Sequence, residues 1–369
     1  MLTEKLSKEG LMKVAMMGSW NTDSGASIHA ELVGRAWVEM GIDLQVFSFY
    51  RHSFHGSALT VNATEEENYV KRCFTVYGVP KPEMDTRPLL EADYDIFVAQ
   101  DLGMLPMTHL LDIFPEIKKK AKTVNVVHDG ELSKKPEYFH FDWDHVVCFD
   151  RRYFDFLKNG YPEGIISMIP FPAYPYIPGD IQKAREELDL PRDKKIVLVF
   201  GGAADYSVNA SLVLDRLAEK YDIMLLVVTE IEKVLEDFKR IQGKTGFEMK
   251  IIEHSPSMEL LNKYLYASDC MFYNKPSMPI IVVSSTIFQC MGSGTPILAL
   301  DSNFTDSFNR EVIKHVNYYE LEENLLDVFE KGEKYQKQQK AIAEYLEQHS
   351  AQKVAERYIR LFESLLKKK

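Results

Sequence analysis

Several short tracts carry residue types that could hold a small anionic substrate. The richest, LYASDCMFYNKPSMPIIVVSSTIFQCMGSGTPILA at 265–299, runs from an apolar stretch (271–273) through a Pro276-Ser277 break to a helix-length stretch (284–291) and a second apolar run (296–300). Strand, loop, helix and strand in that order is the layout of a ligand site in an α/β domain. Loops beyond the carboxyl ends of parallel strands deliver N–H groups and hydroxyls to a bound anion. Ser284, Ser285 and Thr286 would offer three hydroxyls to a phosphate, or would cap the helix that follows. His128 comes after the apolar run 123–127 and before Asp129-Gly130, which places it at a strand end on a tight turn. Ser24, Gly25 and Ser27 lie between the first apolar run and the first helical stretch, where a small residue lets backbone approach a phosphate. Asp23, Ser24 or Ser27 would equally serve that helix as an N-cap. His29 falls on the face of the same helix, and the strand 196–200 runs directly into Gly201-Gly202.

Tract 265–299 resembles the donor-binding segment of GT-B glycosyltransferases, especially the retaining group called family four. That group's pattern is a helix ending in Ala-Asp, a strand, Pro-Ser, a variable loop, and then Glu-Ala-Met-Ala-x-Gly-x-Pro-Val-Val-Ala. Here Ala267-Ser268-Asp269, Pro276-Ser277 and the run from Met291 through Gly292, Gly294 and Pro296 to Ala299 supply most of it. Segments 184–202 and 349–368 are similar to the family's entry into its second domain and to its ending. The resemblance implies two Rossmann-like domains facing across a nucleotide-sugar cleft, with a last helix that crosses back to the first domain. It also implies metal-independent transfer to a hydroxyl acceptor, with the nucleotide sugar as co-substrate and no further cofactor. In the family's pattern His128 contacts the donor sugar near the reacting carbon. An imidazole there can donate a hydrogen bond or turn partial positive charge toward a developing anion.

Departures from the pattern fall on the charged groups. Gly202 and Ser207 stand where the family has the arginine and lysine that meet the diphosphate, and Gln289 replaces a glutamate that bonds a ribose hydroxyl. Charge-assisted bonds are about twice as strong as neutral ones, so ordinary diphosphate binding is weakened. Two other readings therefore stand beside the transferase: a GT-B module that binds a sugar nucleotide or supports a partner enzyme without turnover, and a transferase using a nucleotide-monophosphate donor. The Ser284-Ser285 pair is similar to the phosphate loops of other GT-B branches.

Composition narrows the partners. The 369 residues are 46% hydrophobic and 27% charged, an ordinary globular make-up. A net charge of −11 disfavours nucleic acid and anionic lipid as broad partners. Cys73, Cys148, Cys270 and Cys290 are scattered singly, which argues against a zinc site or a disulfide framework. A charged opening stretch and the lack of an ~18-residue apolar run point to a cytoplasmic protein. Lys118, Lys119 and Lys120, with the lysines at 367–369, would give peripheral contact with a membrane carrying a lipid-linked acceptor, or a solvated helix face.

To position these residues the chain must alternate strands with helices. Apolar runs at 12–17, 44–47, 96–99, 123–127, 145–149 and 166–169 predict one parallel sheet, and those at 196–200, 223–228, 249–252, 271–273 and 297–300 a second. Three prolines in 171–180 mark a connector, giving an acceptor domain at 1–178, a donor domain at 179–348 and a last helix at 349–369. Val354, Tyr358, Leu361, Phe362 and Leu365 form one apolar stripe on that helix. The aromatic run 138–156 would be core, or would line an acceptor pocket.

Overall fold

The computed structural model describes residues 12–22, 24–53, 66–128, 130–131, 136–177 and 179–367. Asp23 and Asp129 lie outside them. The chain forms two compact units: unit 1 is Met1–Pro172, Ile280–Ser285 and His349–Lys369, and unit 2 is Ala173–Pro279 and Thr286–Gln348.

Unit 1 is built on strands β1 (Lys13–Met17), β2 (Asp43–Phe49), β3 (Val70–Phe74), β4 (Ile96–Gln100), β5 (Lys122–Val126), β6 (His145–Cys148) and β7 (Ile166–Met168). They pair in the order β3-β2-β1-β4-β5-β6-β7, and every pairing is parallel. The order reverses between β1 and β4, so the loops leaving these two strands diverge and open a crevice at their carboxyl ends. Helix Gly25–Glu39 follows β1, with Ser24 as its cap.

Helix Ala351–Lys367 packs against Gly25–Glu39 inside this unit. Its stripe is Val354, Tyr358, Ile359, Phe362 and Leu365, all buried; Leu361, expected in it, is not among the helix's buried residues. Trp37 takes the contact: its ring centroid lies 5.6 Å from Tyr358 and 5.2 Å from Phe362, and its indole N–H donates to Ala355 O at 3.3 Å.

Unit 2 carries β8 (Lys195–Phe200), β9 (Ile223–Thr229), β10 (Glu248–Glu253), β11 (Cys270–Tyr273), β12 (Ile297–Leu300) and β13 (Ile313–His315), again all parallel, in the order β10-β9-β8-β11-β12-β13. Asp269, expected to close a helix, lies just past the helix Met258–Ala267 and acts as a clamp. It accepts from Arg185 Nη2 and from Ile196 N, both at 2.8 Å, which ties the helix Ile181–Glu187 to the start of β8.

Two edge strands escape the sequence pattern. β3 is interrupted by Lys71 and Arg72, the latter ion-paired to Glu66, and β13 is only three residues long. Neither offers an apolar run. The aromatic run 138–156 is mostly core: Tyr138, Phe141, Trp143 and Tyr153 are buried, and Trp143 packs 4.7 Å from Phe114. Lys118, Lys119 and Lys120 each have local partners, and the lysines at 368 and 369 lie outside the described residues. Lys118 pairs with Asp142 and Lys119 with Glu116, while Lys120 donates to the carbonyls of Leu90 and Ala92. Among the described residues no helix is long and apolar enough to cross a membrane. All four cysteines are buried thiols.

Candidate functional site

At the crevice of unit 1, β4 ends in Gln100, which is fully buried, and His128 stands two residues past the end of β5. The side-chain oxygen of Gln100 lies 3.2 Å from both His29 Nδ1 and His128 Nε2. An amide oxygen only accepts, so both of those ring nitrogens carry the proton. His29 Nε2 is then bare and accepts from the Tyr358 hydroxyl at 3.3 Å. With the Gln100 amide so placed, Nδ1 is left as the acceptor of the His128 ring, while the buried Gln100 Nε2 has no partner among the described residues.

The surroundings of the two rings are aromatic. His128 lies 5.1 Å from His29 and 4.8 Å from Phe149, and Tyr153 donates to its carbonyl at 3.0 Å. Burial pushes His29 down to about 3 and holds His128 well below 6.5, with the neighbouring His29 adding to the second effect. Both imidazoles are therefore neutral at pH 7. Of the two roles open to His128, hydrogen bonding and partial positive charge, the lowered value favours the first, because water-poor surroundings disfavour the imidazolium. His29 lies on the helix Gly25–Glu39, as expected, on its buried face, where it links Gln100 to Tyr358.

Around this crevice lie the small residues. A Cβ on Gly18 would sit 2.7 Å from the Gln100 Cβ, so the exits of β1 and β4 approach closely only because residue 18 lacks a side chain. The Ser24 hydroxyl is taken up by the loop itself: it accepts from Ser27 N at 3.1 Å and lies 3.1 Å from both Ser19 Oγ and Thr22 Oγ1. Ser24 is thus the helix cap. The segment Ile280–Ser285 belongs to unit 1 and lies here. A Cβ on Gly25 would meet Ser285 Oγ at 2.9 Å, one on Gly130 would collide with Ile281 O, and Arg152 Nη2 donates to Val282 O at 3.1 Å. Arg152, ion-paired to Asp150, brings a guanidinium to this segment. Ser284 is buried. Ser24, Gly25, His128, Ser284 and Ser285 are thereby brought to one end of one sheet.

The remaining candidates lie in unit 2. Gly201 has φ +63° at the carboxyl end of β8, a conformation that favours glycine, and Gly202 lies open beside Ile231. Ser207 is fully buried and its hydroxyl receives the Asn274 amide at 3.3 Å. Thr286 is half-buried in the helix Ser285–Met291. Further along that helix the Gln289 amide donates to Met258 Sδ at 2.9 Å, which leaves its oxygen and its second amide hydrogen for a ribose hydroxyl. Gly292 and Gly294 serve the chain path. A Cβ on Gly292 would lie 2.7 Å from Pro175 O, and Gly294 has φ +75°.

No family model matches the chain. Among solved structures it is similar to a glycosyltransferase from Rickettsia africae (TM-score 0.70, 14% identity, 98% of this chain and 100% of that one). A sucrose-phosphate synthase from Thermosynechococcus elongatus follows at TM-score 0.66 and 14% identity, over 96% and 99% of the two chains. Anabaena HepE, solved with UDP-glucose, matches at TM-score 0.64 and 13% identity over 96% and 100%. The chain has the GT-B fold. Identities this low establish the architecture and leave the chemistry to the residues. In GT-B terms, the expected pair of Rossmann-like sheets is present and the last helix returns to the first of them.

Proposed function

We propose that the protein is a GT-B glycosyltransferase akin to family four, moving a sugar from a nucleotide-activated donor to a hydroxyl of a glycan, glycolipid or small molecule. The reading rests on one observation: Gly25, His128, Ser284 and Ser285 gather where the strand order of unit 1 reverses. The solved HepE complex with UDP-glucose supports a nucleotide-sugar donor on the same architecture. His128 Nδ1 would accept from a donor-sugar hydroxyl, while Gly25 N–H and the Ser285 hydroxyl would meet phosphate. Gly201 and Gly202 would offer backbone, and Gln289 its oxygen, to the nucleotide. Catalysis would be positioning and hydrogen bonding without a metal, with retention at the anomeric carbon, in the cytoplasm.

One observation favours a second reading, a module that binds without turnover. Position 207 holds a buried serine bonded to Asn274 rather than a free cation, so no charge stands ready there for a leaving diphosphate. A panel of nucleotides and nucleotide sugars titrated against thermal stability, followed by product assay, separates the two. His128→Ala should keep the fold and lower transfer by roughly 10²-fold or more. Transfer within about twofold of wild type would remove His128 from the mechanism, and binding without product would favour the module.

A further inference from the structure

Between the last helix and the crevice of unit 1, Tyr358, His29 and Gln100 form a sealed polar row in aromatic surroundings. All three are fully buried, and only His128, at the crevice end of the row, is partly exposed. Phe149 and Phe171 close in on His29, with ring centroids at 5.2 and 5.3 Å. Burial holds the Tyr358 hydroxyl well above 10 and both imidazoles below 6.5, so every member is neutral at pH 7. A neutral imidazole carries one proton and one lone pair. Each bond in the row therefore dictates the next.

Two proton arrangements fit the row. In the first, the Gln100 oxygen accepts from His29 Nδ1 and His128 Nε2, each at 3.2 Å, and the Tyr358 hydroxyl donates to His29 Nε2 at 3.3 Å. The two amide hydrogens then have no partner among the described residues. In the second, the amide is turned over and its NH₂ group donates one hydrogen to each ring, while His29 Nε2 donates to the Tyr358 oxygen. The amide oxygen and the phenol hydrogen are now the unmatched pair. At the crevice the outcomes are opposite: His128 Nδ1 is a bare acceptor in the first arrangement and a donor in the second.

Each arrangement leaves two buried groups unmatched, so the balance between them is close. The Tyr358 proton weighs on one side only, since it has an acceptor in the first arrangement and none in the second. Without that hydroxyl the first arrangement would strand a third group, the His29 Nε2 lone pair, whereas the second would still strand two. One more buried polar group without a partner shifts such a ratio by roughly tenfold. We propose that Tyr358, acting through His29 and Gln100, selects the tautomer of His128, so that the seated last helix holds Nδ1 in its accepting form. The three are positioning residues. What Nδ1 then does to a substrate rests on the transferase reading; the selection of its form does not.

The test uses the full chain labelled with ¹⁵N in its histidine rings, without ligand, and reads which nitrogen of His29 and of His128 is protonated. The two rings are assigned by their mutual proximity, 5.1 Å between centroids, and by the signals lost in His128→Asn. Wild-type His128 should carry its proton on Nε2 and His29 on Nδ1. Tyr358→Phe keeps the ring that packs on Trp37 and Phe362. In it the Nδ1–H form of His128 and the Nε2–H form of His29 should grow together, by roughly tenfold. In a Gln100→Leu background, which retains bulk and removes the polar link, the same change should leave His128 unmoved. The proposal is overturned if wild-type His128 is protonated on Nδ1, a reading that needs no variant. It also falls if folded Tyr358→Phe protein keeps the wild-type tautomers, or if the shift is as large with Leu at position 100. None of these readings involves turnover, so absence of transfer would remove the transferase reading and leave this test intact.

Discussion

Replacing Phe362 by alanine should loosen unit 1 although the residue lies on the helix Ala351–Lys367, remote in sequence from the sheet it covers. The side chain is fully buried, 5.2 Å from Trp37 and 6.1 Å from Tyr358. Truncating a buried phenylalanine costs about 3–5 kcal/mol, the lost transfer energy plus the cavity left behind. For a unit of this size each kcal/mol lowers the melting temperature by about 2–4 °C, so a drop of roughly 6–20 °C is expected. The chain's three tryptophans, Trp20, Trp37 and Trp143, all lie in unit 1, so tryptophan fluorescence during heating reads this unit alone. Phe362→Leu, which keeps most of the volume, should give a smaller drop. A soluble Phe362→Ala protein melting within about 2 °C of wild type would show that Trp37 and the last helix do not support each other.

Gly201→Ala should destabilise by about 1 kcal/mol through backbone conformation alone, since φ is +63° and nothing lies within 4 Å of a Cβ there. Gly201→Asn should cost less, and denaturant midpoints would check both. His29, His128 and His315 all have folded-state values below their ordinary one, so the unfolded chain binds more protons than the native one in mild acid. Their contribution is fully present above about pH 6.5 and falls as the pH drops toward the folded values, by up to about 1.4 kcal/mol per pH unit for each ring. A melting temperature that stays flat from pH 7 to 5 would contradict the buried neutral rings. Ser284→Ala with Ser285→Ala should weaken the best-binding nucleotide by roughly tenfold in calorimetry, as one or two bonds to a charged group are lost. Unchanged affinity would leave the serines a structural role only.

The alternation of strands and helices was legible because most strands are continuous apolar runs, buried on both faces as parallel strands must be. β3 and β13 were not, since Lys71 and Arg72 break one and the other is too short to register. His128 could be picked out by its place after an apolar run. Its partners could not. Gln100 and Tyr358 carry no local signal, and their roles arise from bonds to residues 28 and 329 positions away along the chain. Gly18 looked like any small residue until β4 was placed beside it. The missing charge on His128 follows from burial, which spacing does not reveal. The serine at 24 fits both a cap and a ligand role in the sequence, and the bond from Ser27 N shows the cap.

Unit 1 is assembled from stretches of chain that leave the ribosome at very different times. Residues up to Pro172 emerge first, while His349–Lys369 comes last, and at typical elongation rates the interval is roughly 10–30 s. Throughout it Trp37 and His29 lack Tyr358 and Phe362, so the nascent sheet carries an uncovered aromatic face of the kind that recruits chaperones and invites aggregation. Quality control can thus read a defect that occurs very late in synthesis. A premature stop or frameshift near codon 345 would spare nearly every candidate site residue and still leave the earliest-made part of the molecule unfinished. Such an allele should behave as a null through degradation rather than as a protein with an altered site.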